Sequence, residues 1–327
     1  VGRLVRASVA EQGLAAGQID LACFGRASMA DAELPAKIRS GRESEVMACM
    51  GCNICLGRSS RPESICPVNP AIGREAEFEF AATAVPQKVA VVGSSFSALT
   101  AAWVAALRGH RVSLHFNGAV GGLMALRARV PGNAVIAETA AALLGRALAA
   151  GVEVSGQLPE AAPEAADVVW AVREFRPLDA AGPQRAVPAL AVLAGDQSGR
   201  ALVVGDDLCA AEAAVVLAQR GSQVTLLSPA RDIANDAHPG FREVCRRRLE
   251  AAGADIEVKV AEPFVHPATA AADLVVLGRG PAADWDEAGN WRLPEFGGRV
   301  SAYLDDAYEA GLLTRTVYDA VALARAL

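Results

Sequence analysis

The sequence predicts an α/β protein that contains two parallel-sheet modules of the dinucleotide-binding type. Two apolar runs carry this reading, KVAVV at Lys88 to Val92 running into Gly93 and ALVV at Ala201 to Val204 running into Gly205. Each is followed by an alanine-rich helical stretch and then a second short strand, the order that opens a dinucleotide-binding fold. A chain of 327 residues with 52% hydrophobic residues is also long enough for two or three domains with cores of their own.

The elements follow in order. Apolar spacing gives a helix over about Ala7 to Ala16, a short buried strand from Asp20 to Phe24, the turn Gly25-Arg26 and a helix through Asp31 to Ser40. These make about one and a half βα units, and Val1-Gly2-Arg3 reads as the end of a preceding strand. Cysteines then cluster between Cys49 and Cys66. In the first module the helix after Gly93 runs to about Leu107, the next strand covers Val112 to Phe116, and Asp167 to Ala171 closes the sheet. In the second, the helix covers Ala210 to Arg220, the next strand Gln223 to Leu227, and Asp273 to Leu277 closes the sheet. Arg173 to Ser198 and Gly278 to Arg299 are expected to cross between the modules, and a last helix from about Thr314 to Leu327 to pack on the first. The expected boundaries are 1–45 for the βα units, 46–85 for the cysteine segment, 86–180 with 295–327 for the first module, and 181–294 for an inserted second module.

A net charge of −6, with acids and bases interspersed, gives no basic stripe to neutralise a phosphate backbone, so no nucleic-acid partner is expected. No apolar run approaches the roughly 18 to 20 residues of a membrane span, and VGRLVRASVAEQG lacks the apolar core of a signal peptide. A cytoplasmic protein is therefore expected, with no membrane partner. Seven cysteines in such a chain argue for metal or redox chemistry over disulfides. Cys23, Cys209 and Cys245 stand singly and are expected to be inert core residues.

Cys49-x2-Cys52-x2-Cys55 wraps three thiolates around one concave site, and Cys66, followed by Pro67, can close it. Such tight spacing with a final Cys-Pro is close to the ferredoxin pattern and points to a 4Fe-4S cluster. Structural zinc is the alternative, but it favours two separated pairs of ligands. Gly51 and Gly57 suit a loop that curls around a cluster and offers N–H groups to its sulfurs. Gly93-Ser94-Ser95-Phe96-Ser97-Ala98 keeps the first glycine and permitted final alanine of the phosphate-binding turn, with serine replacing the middle glycine. No acid ends the second strand at Phe116 or Asn117, so the site looks impaired, and a retained nucleotide and a weakened or lost one are both left open. Gly205-Asp206-Asp207 puts a carboxylate where a pyrophosphate would lie, which speaks against NAD(P)H. Gly2-Arg3 and Gly25-Arg26 follow consecutive strands, where a βα barrel builds its phosphate site. The four histidines fall in no catalytic spacing.

With these motifs in place, the series GQIDLACFGRASMADAELPAKIRSG, CMGCNIC, ICPVNPAIGRE, KVAVVG, GGLMALRARVPG, ALVVGDD and YLDDAYEAGLLTRTVYDAV resembles the C-terminal portion of the iron-sulfur flavoproteins typified by trimethylamine dehydrogenase and dienoyl-CoA reductase. The cysteine spacing looks like the amine dehydrogenase branch. The resemblance implies the last one to two βα units of a TIM barrel, a 4Fe-4S loop, then two Rossmann-like domains, the second inserted in the first. It implies that Gly2, Arg3, Gly25 and Arg26 lie at the phosphate of an FMN, that Cys49, Cys52, Cys55 and Cys66 hold the cluster, and that Gly93, Ser95, Ala98 and Asp306 line an ADP or FAD. Asp305 departs from the family's usual glycine. The rest of the barrel, with the substrate pocket, is expected from a partner chain, a nicked precursor or a longer chain, in an oligomer. The implied function is the electron-transfer portion of a dehydrogenase that oxidises a small, N-methylated amine and passes electrons to an external electron-transfer flavoprotein. An NAD(P)H-dependent enoate or dienoyl-CoA reductase and a degenerate scaffold are the alternatives.

Overall fold

Strands buried on both faces read as continuous apolar runs, and that is how the central strands of the first sheet, KVAVV and VVWAV, are built. The computed structural model describes residues 4–56, 66–78, 80–160, 163–172, 186–278, 301–304 and 310–327. β1 (Lys88–Val92), β2 (Arg111–His115), β3 (Glu153–Ser155), β4 (Val168–Val172) and β10 (Ala302–Leu304) pair in parallel, in the order β10-β4-β1-β2-β3. Val89 lies opposite Val112 on one side and Val168 on the other. Ala90, Val92, Val169 and Ala171 form one packed cluster in this sheet.

Helix α4 (Phe96–Leu107) covers β1, with nine of its residues buried from Phe96 to Ala105. α6 (Val135–Ala149) and the C-terminal helix α11 (Ala310–Ala326) pack against α4. Ahead of the sheet come α1 (Ala7–Ala15), α2 (Gly25–Ala30) and α3 (Leu34–Arg39).

The second sheet repeats this pattern. β5 (Ala186–Pro188), β6 (Ala201–Val204), β7 (Val224–Ser228), β8 (Asp255–Val258) and β9 (Leu274–Leu277) pair in parallel in the order β5-β9-β6-β7-β8. α7 (Ala189–Ala194), α8 (Leu208–Gln219), α9 (Pro239–Ala251) and α10 (Pro267–Ala271) accompany it. In sequence this sheet lies between β4 and β10 of the first. The chain divides into two compact units, one around each sheet, and Leu126–Asn133, which begins within α5 (Leu123–Ala128), belongs to the second. Among the described residues no helix is long and apolar enough to cross a membrane.

Several local expectations need correction. Residues 20–24 form no strand, and Leu21 is 88% exposed. A strand exists only through pairing of its backbone groups, which a short apolar run cannot supply alone. The helix expected over Asp31 to Ser40 is interrupted: α2 ends at Ala30, the Asp31 carboxylate caps the Glu33 N–H at 3.0 Å, and α3 starts at Leu34. Cys23 is exposed, whereas Cys209 and Cys245 are buried. Within the expected crossing from Arg173 to Ser198 lie β5 and α7. Residues 279–299 of the expected return crossing lie outside the described residues.

Candidate functional site

Asp31 fixes the approach to the cysteines. Its carboxylate is 3% exposed and accepts hydrogen bonds from Lys37 Nζ at 2.7 Å and the Met47 N–H at 2.9 Å, with Arg146 at 3.5 Å. Burial alone would raise this carboxyl's pKa. The bonds from Lys37 and Met47 and the charges of Lys37 and Arg146 outweigh it and hold the carboxyl below its usual value. One residue further on, the Ala48 carbonyl accepts from Thr139 Oγ1 of α6 at 3.1 Å. The chain therefore enters the cysteine segment from a fixed point.

Cys49, Cys52, Cys55 and Cys66 all line one small cavity of about 20 Å³, together with Arg26, Asn53 and the buried Met50, Pro67 and Val68. Gly51 has φ +70° and Asn53 φ +62°, so the backbone curls twice between Cys49 and Cys55 through the left-handed region. Burial pushes the Cys66 thiol up to about 12, opposed by the N–H groups of Val68 and Asn69 and reinforced by Cys52 and Cys49. Burial also raises the Cys55 thiol, with Cys49 adding to the rise and the Arg26 guanidinium opposing it. Four thiols around one cavity, with backbone N–H groups turned toward their sulfurs, fit the donor set of an iron-sulfur cluster. Among the described residues no group of three or more His, Cys, Asp or Glu side chains forms a metal-ion site. Gly57 lies outside the described residues.

The two dinucleotide-type turns differ in chemistry. In the first, Gly93 has φ +118°, and Ser95 caps α4, its hydroxyl accepting from the Ala98 N–H at 3.2 Å and lying 2.7 Å from Ser97 Oγ. The loop after β2 is laced onto this turn: Gly121 N–H donates to the Ser94 carbonyl at 2.8 Å, and Ser94 Oγ donates to the Ala119 carbonyl at 3.1 Å. Gly121 has φ +116°, which strains any other residue, and a Cβ there would lie a tight 3.2 Å from Ala140 Cβ. The cap of α4 is a neutral hydroxyl, which suits a helix N-terminus facing an anion.

In the second turn, Asp207 caps α8 and accepts from the Ala210 N–H at 3.0 Å, while Asp236 accepts from the Leu208 N–H at 2.6 Å. Two carboxylates thus occupy donors that a pyrophosphate would use. A Cβ at Gly278 would overlap the Asp207 carboxylate, and one at Gly205 would lie 2.9 Å from Gly278 Cα. This turn is thus closely packed at its glycines and capped by carboxylates, unlike the first.

Gly25 and Arg26 open α2, where the guanidinium donates to Asn53 Oδ1. Gly2, Arg3, Asp305 and Asp306 lie outside the described residues. The structure brings together the four cysteines with Arg26 in one place and Gly93, Ser95 and Ala98 in another. The reading of motifs missed Asp31, Asn53, Asn69 and Asp236. Only Asn53, a turn-forming residue between two cysteines, carried a local signal.

Residues 200–261 match the Pyridine nucleotide-disulphide oxidoreductase family. The chain is 34% identical over 263 residues to the NADH oxidase of Thermoanaerobacter brockii, covering 73% of this chain and 40% of that protein. It is 38% identical over 125 residues to the N,N-dimethylglycine/sarcosine dehydrogenase of Chromohalobacter salexigens, covering 36% of this chain and 18% of that one. Among solved structures, 2-naphthoyl-CoA reductase in complex with 2-naphthoyl-CoA superposes with a TM-score of 0.82 at 23% identity, covering 99% of this chain and 53% of that one. The chain thus spans about half the length of that structure and less of the curated relatives it matches. Fold and relatives together support the class of flavoprotein oxidoreductases.

Proposed function

We propose that this chain is the electron-transfer portion of an iron-sulfur flavoprotein dehydrogenase that acts on a small N-methylated amine. The observation that carries the electron-transfer role is the convergence of Cys49, Cys52, Cys55 and Cys66 on one cavity walled by buried Met50, Pro67 and Val68. When bound, FMN and a 4Fe-4S cluster supply the exchange between two-electron chemistry at a substrate and one-electron transfer to an acceptor. The four thiolates would hold the iron. The N–H groups near Cys55 and Cys66 would donate to sulfur, and the apolar wall would exclude water. Gly93, Ser95 and Ala98 would hold the pyrophosphate of an ADP or FAD at the neutral N-terminus of α4. A barrel-bearing chain or segment would complete the FMN site near Arg26, and an electron-transfer flavoprotein would accept the electrons.

The direction rests on the second module. Asp207 and Asp236 at the N-terminus of α8 oppose a nicotinamide nucleotide. The partial match to a dehydrogenase of N-methylated amino acids agrees with this. A second reading, an NAD(P)H-dependent reductase, is favoured by the longer match to a protein named NADH oxidase. Anaerobic mixing of the complete protein with dimethylglycine or trimethylamine, and separately with NADH and NADPH, decides between them. Bleaching of flavin by the amine alone supports the dehydrogenase, and rapid bleaching by NADH or NADPH alone establishes the reductase.

A further inference from the structure

This inference rests on the cysteines being iron ligands. Helix α2 is fastened to both arms of the cysteine segment. At its start, Arg26 donates to Asn53 Oδ1, between Cys52 and Cys55. At its end, the Met29 carbonyl accepts from Asn69 Nδ2 at 2.8 Å, three residues past Cys66. Apart from the cysteines themselves, Arg26 is the one ionisable side chain among the described residues that line the cavity. A guanidinium offers five N–H donors in a fixed fork, so the bond to Asn53 leaves others for a further acceptor.

We propose that Arg26 is a positioning and charge-compensating residue of the iron-sulfur centre: held by Asn53 at the cavity wall, its guanidinium steadies the Cys52–Cys55 turn and raises the centre's reduction potential. Reduction adds one negative charge, and a fixed cation beside a partly buried site stabilises the charged product more than the reactant. The side chain's role then extends beyond the FMN phosphate contact expected of Arg26.

The test is a redox titration of the anaerobically purified complete protein, followed by electron paramagnetic resonance, with iron and FMN content measured in every sample. Arg26→Gln should lower the midpoint potential by about 59 mV, a tenfold change in a one-electron equilibrium. Arg26→Lys, which keeps the charge, should hold most of the wild-type value. Asn53→Gly, which tolerates the positive φ and removes the acceptor, should shift the potential the same way by less. If Arg26→Gln does not retain iron, Arg26→Lys and Asn53→Gly carry the comparison. Iron-replete Asn53→Gly and Arg26 variants that titrate with the wild type overturn the proposal, whether or not they lose FMN. Wild-type protein without iron overturns instead the assignment of the cysteines on which it rests.

Discussion

Asp31 shows how much a single buried carboxylate organises. It joins α3, the backbone at Met47 and Arg146 of α6, so its loss leaves Lys37, itself only 5% exposed, without its closest counter-charge. Removing one partner of a buried pair typically costs about 3 to 5 kcal/mol. Asp31→Asn is therefore expected to lower the thermal midpoint of the first unit by several degrees. The pH dependence has a definite sign. Because the folded carboxyl titrates below its ordinary value of 3.8, its stabilising contribution is complete above that value and is lost as pH falls through the lower, folded one. Acid unfolding of the wild type should steepen below about pH 4, and calorimetry of Asp31→Asn should show a shallower dependence there. None of this was legible in the sequence, since Asp31 meets Met47 across 16 positions and Arg146 across 115. The cysteines were legible because their spacing alone brings them together.

At the level of elements, the ends of α4 and α8 set what each module can bind. Both N-terminal turns were readable in the sequence because a glycine follows each opening strand, and the structure adds that Ser95 and Asp207 cap the helices by accepting from the N–H three residues on. Asp236, 28 positions from the Leu208 N–H it accepts, could not be read. The combined variant Asp207→Asn, Asp236→Asn should bind NADH at least roughly tenfold more tightly than wild type by calorimetric titration, since about 1.4 kcal/mol of relieved repulsion suffices. An unchanged affinity would show that packing around Gly205 and Gly278, and not charge, closes the site. The second unit also depends on a buried pair: Arg127 and Glu212, 3.2 Å apart and 3% and 1% exposed at their side chains. Glu212 accepts from Asn133 as well, at 2.9 Å. Glu212→Ala should destabilise the second unit by about 3 to 5 kcal/mol in denaturant titration. The unformed strand at residues 20–24 teaches the complementary lesson. An apolar run marks a strand only where neighbours complete its ladder, and its exposed Leu21 is what such a run looks like alone.

At the scale of the whole molecule, two parallel sheets, one interrupting the other in sequence, carry turns capped by a neutral hydroxyl and by carboxylates respectively, and the cysteine segment precedes both. The sheets were legible because the first strand of each, β1 and β6, is a short run rich in Val, Ala and Leu that ends at a glycine. The connections were not, because their course depends on partners distant in sequence. The central claim is that Cys49, Cys52, Cys55 and Cys66 hold one 4Fe-4S cluster. It is tested most directly by iron and acid-labile sulfide analysis of anaerobically purified protein, with electron paramagnetic resonance after reduction by dithionite. About four irons and four sulfides per chain with a reduced-cluster signal, both lost in Cys52→Ser, are predicted. One zinc per chain, or no metal at all, would contradict the account.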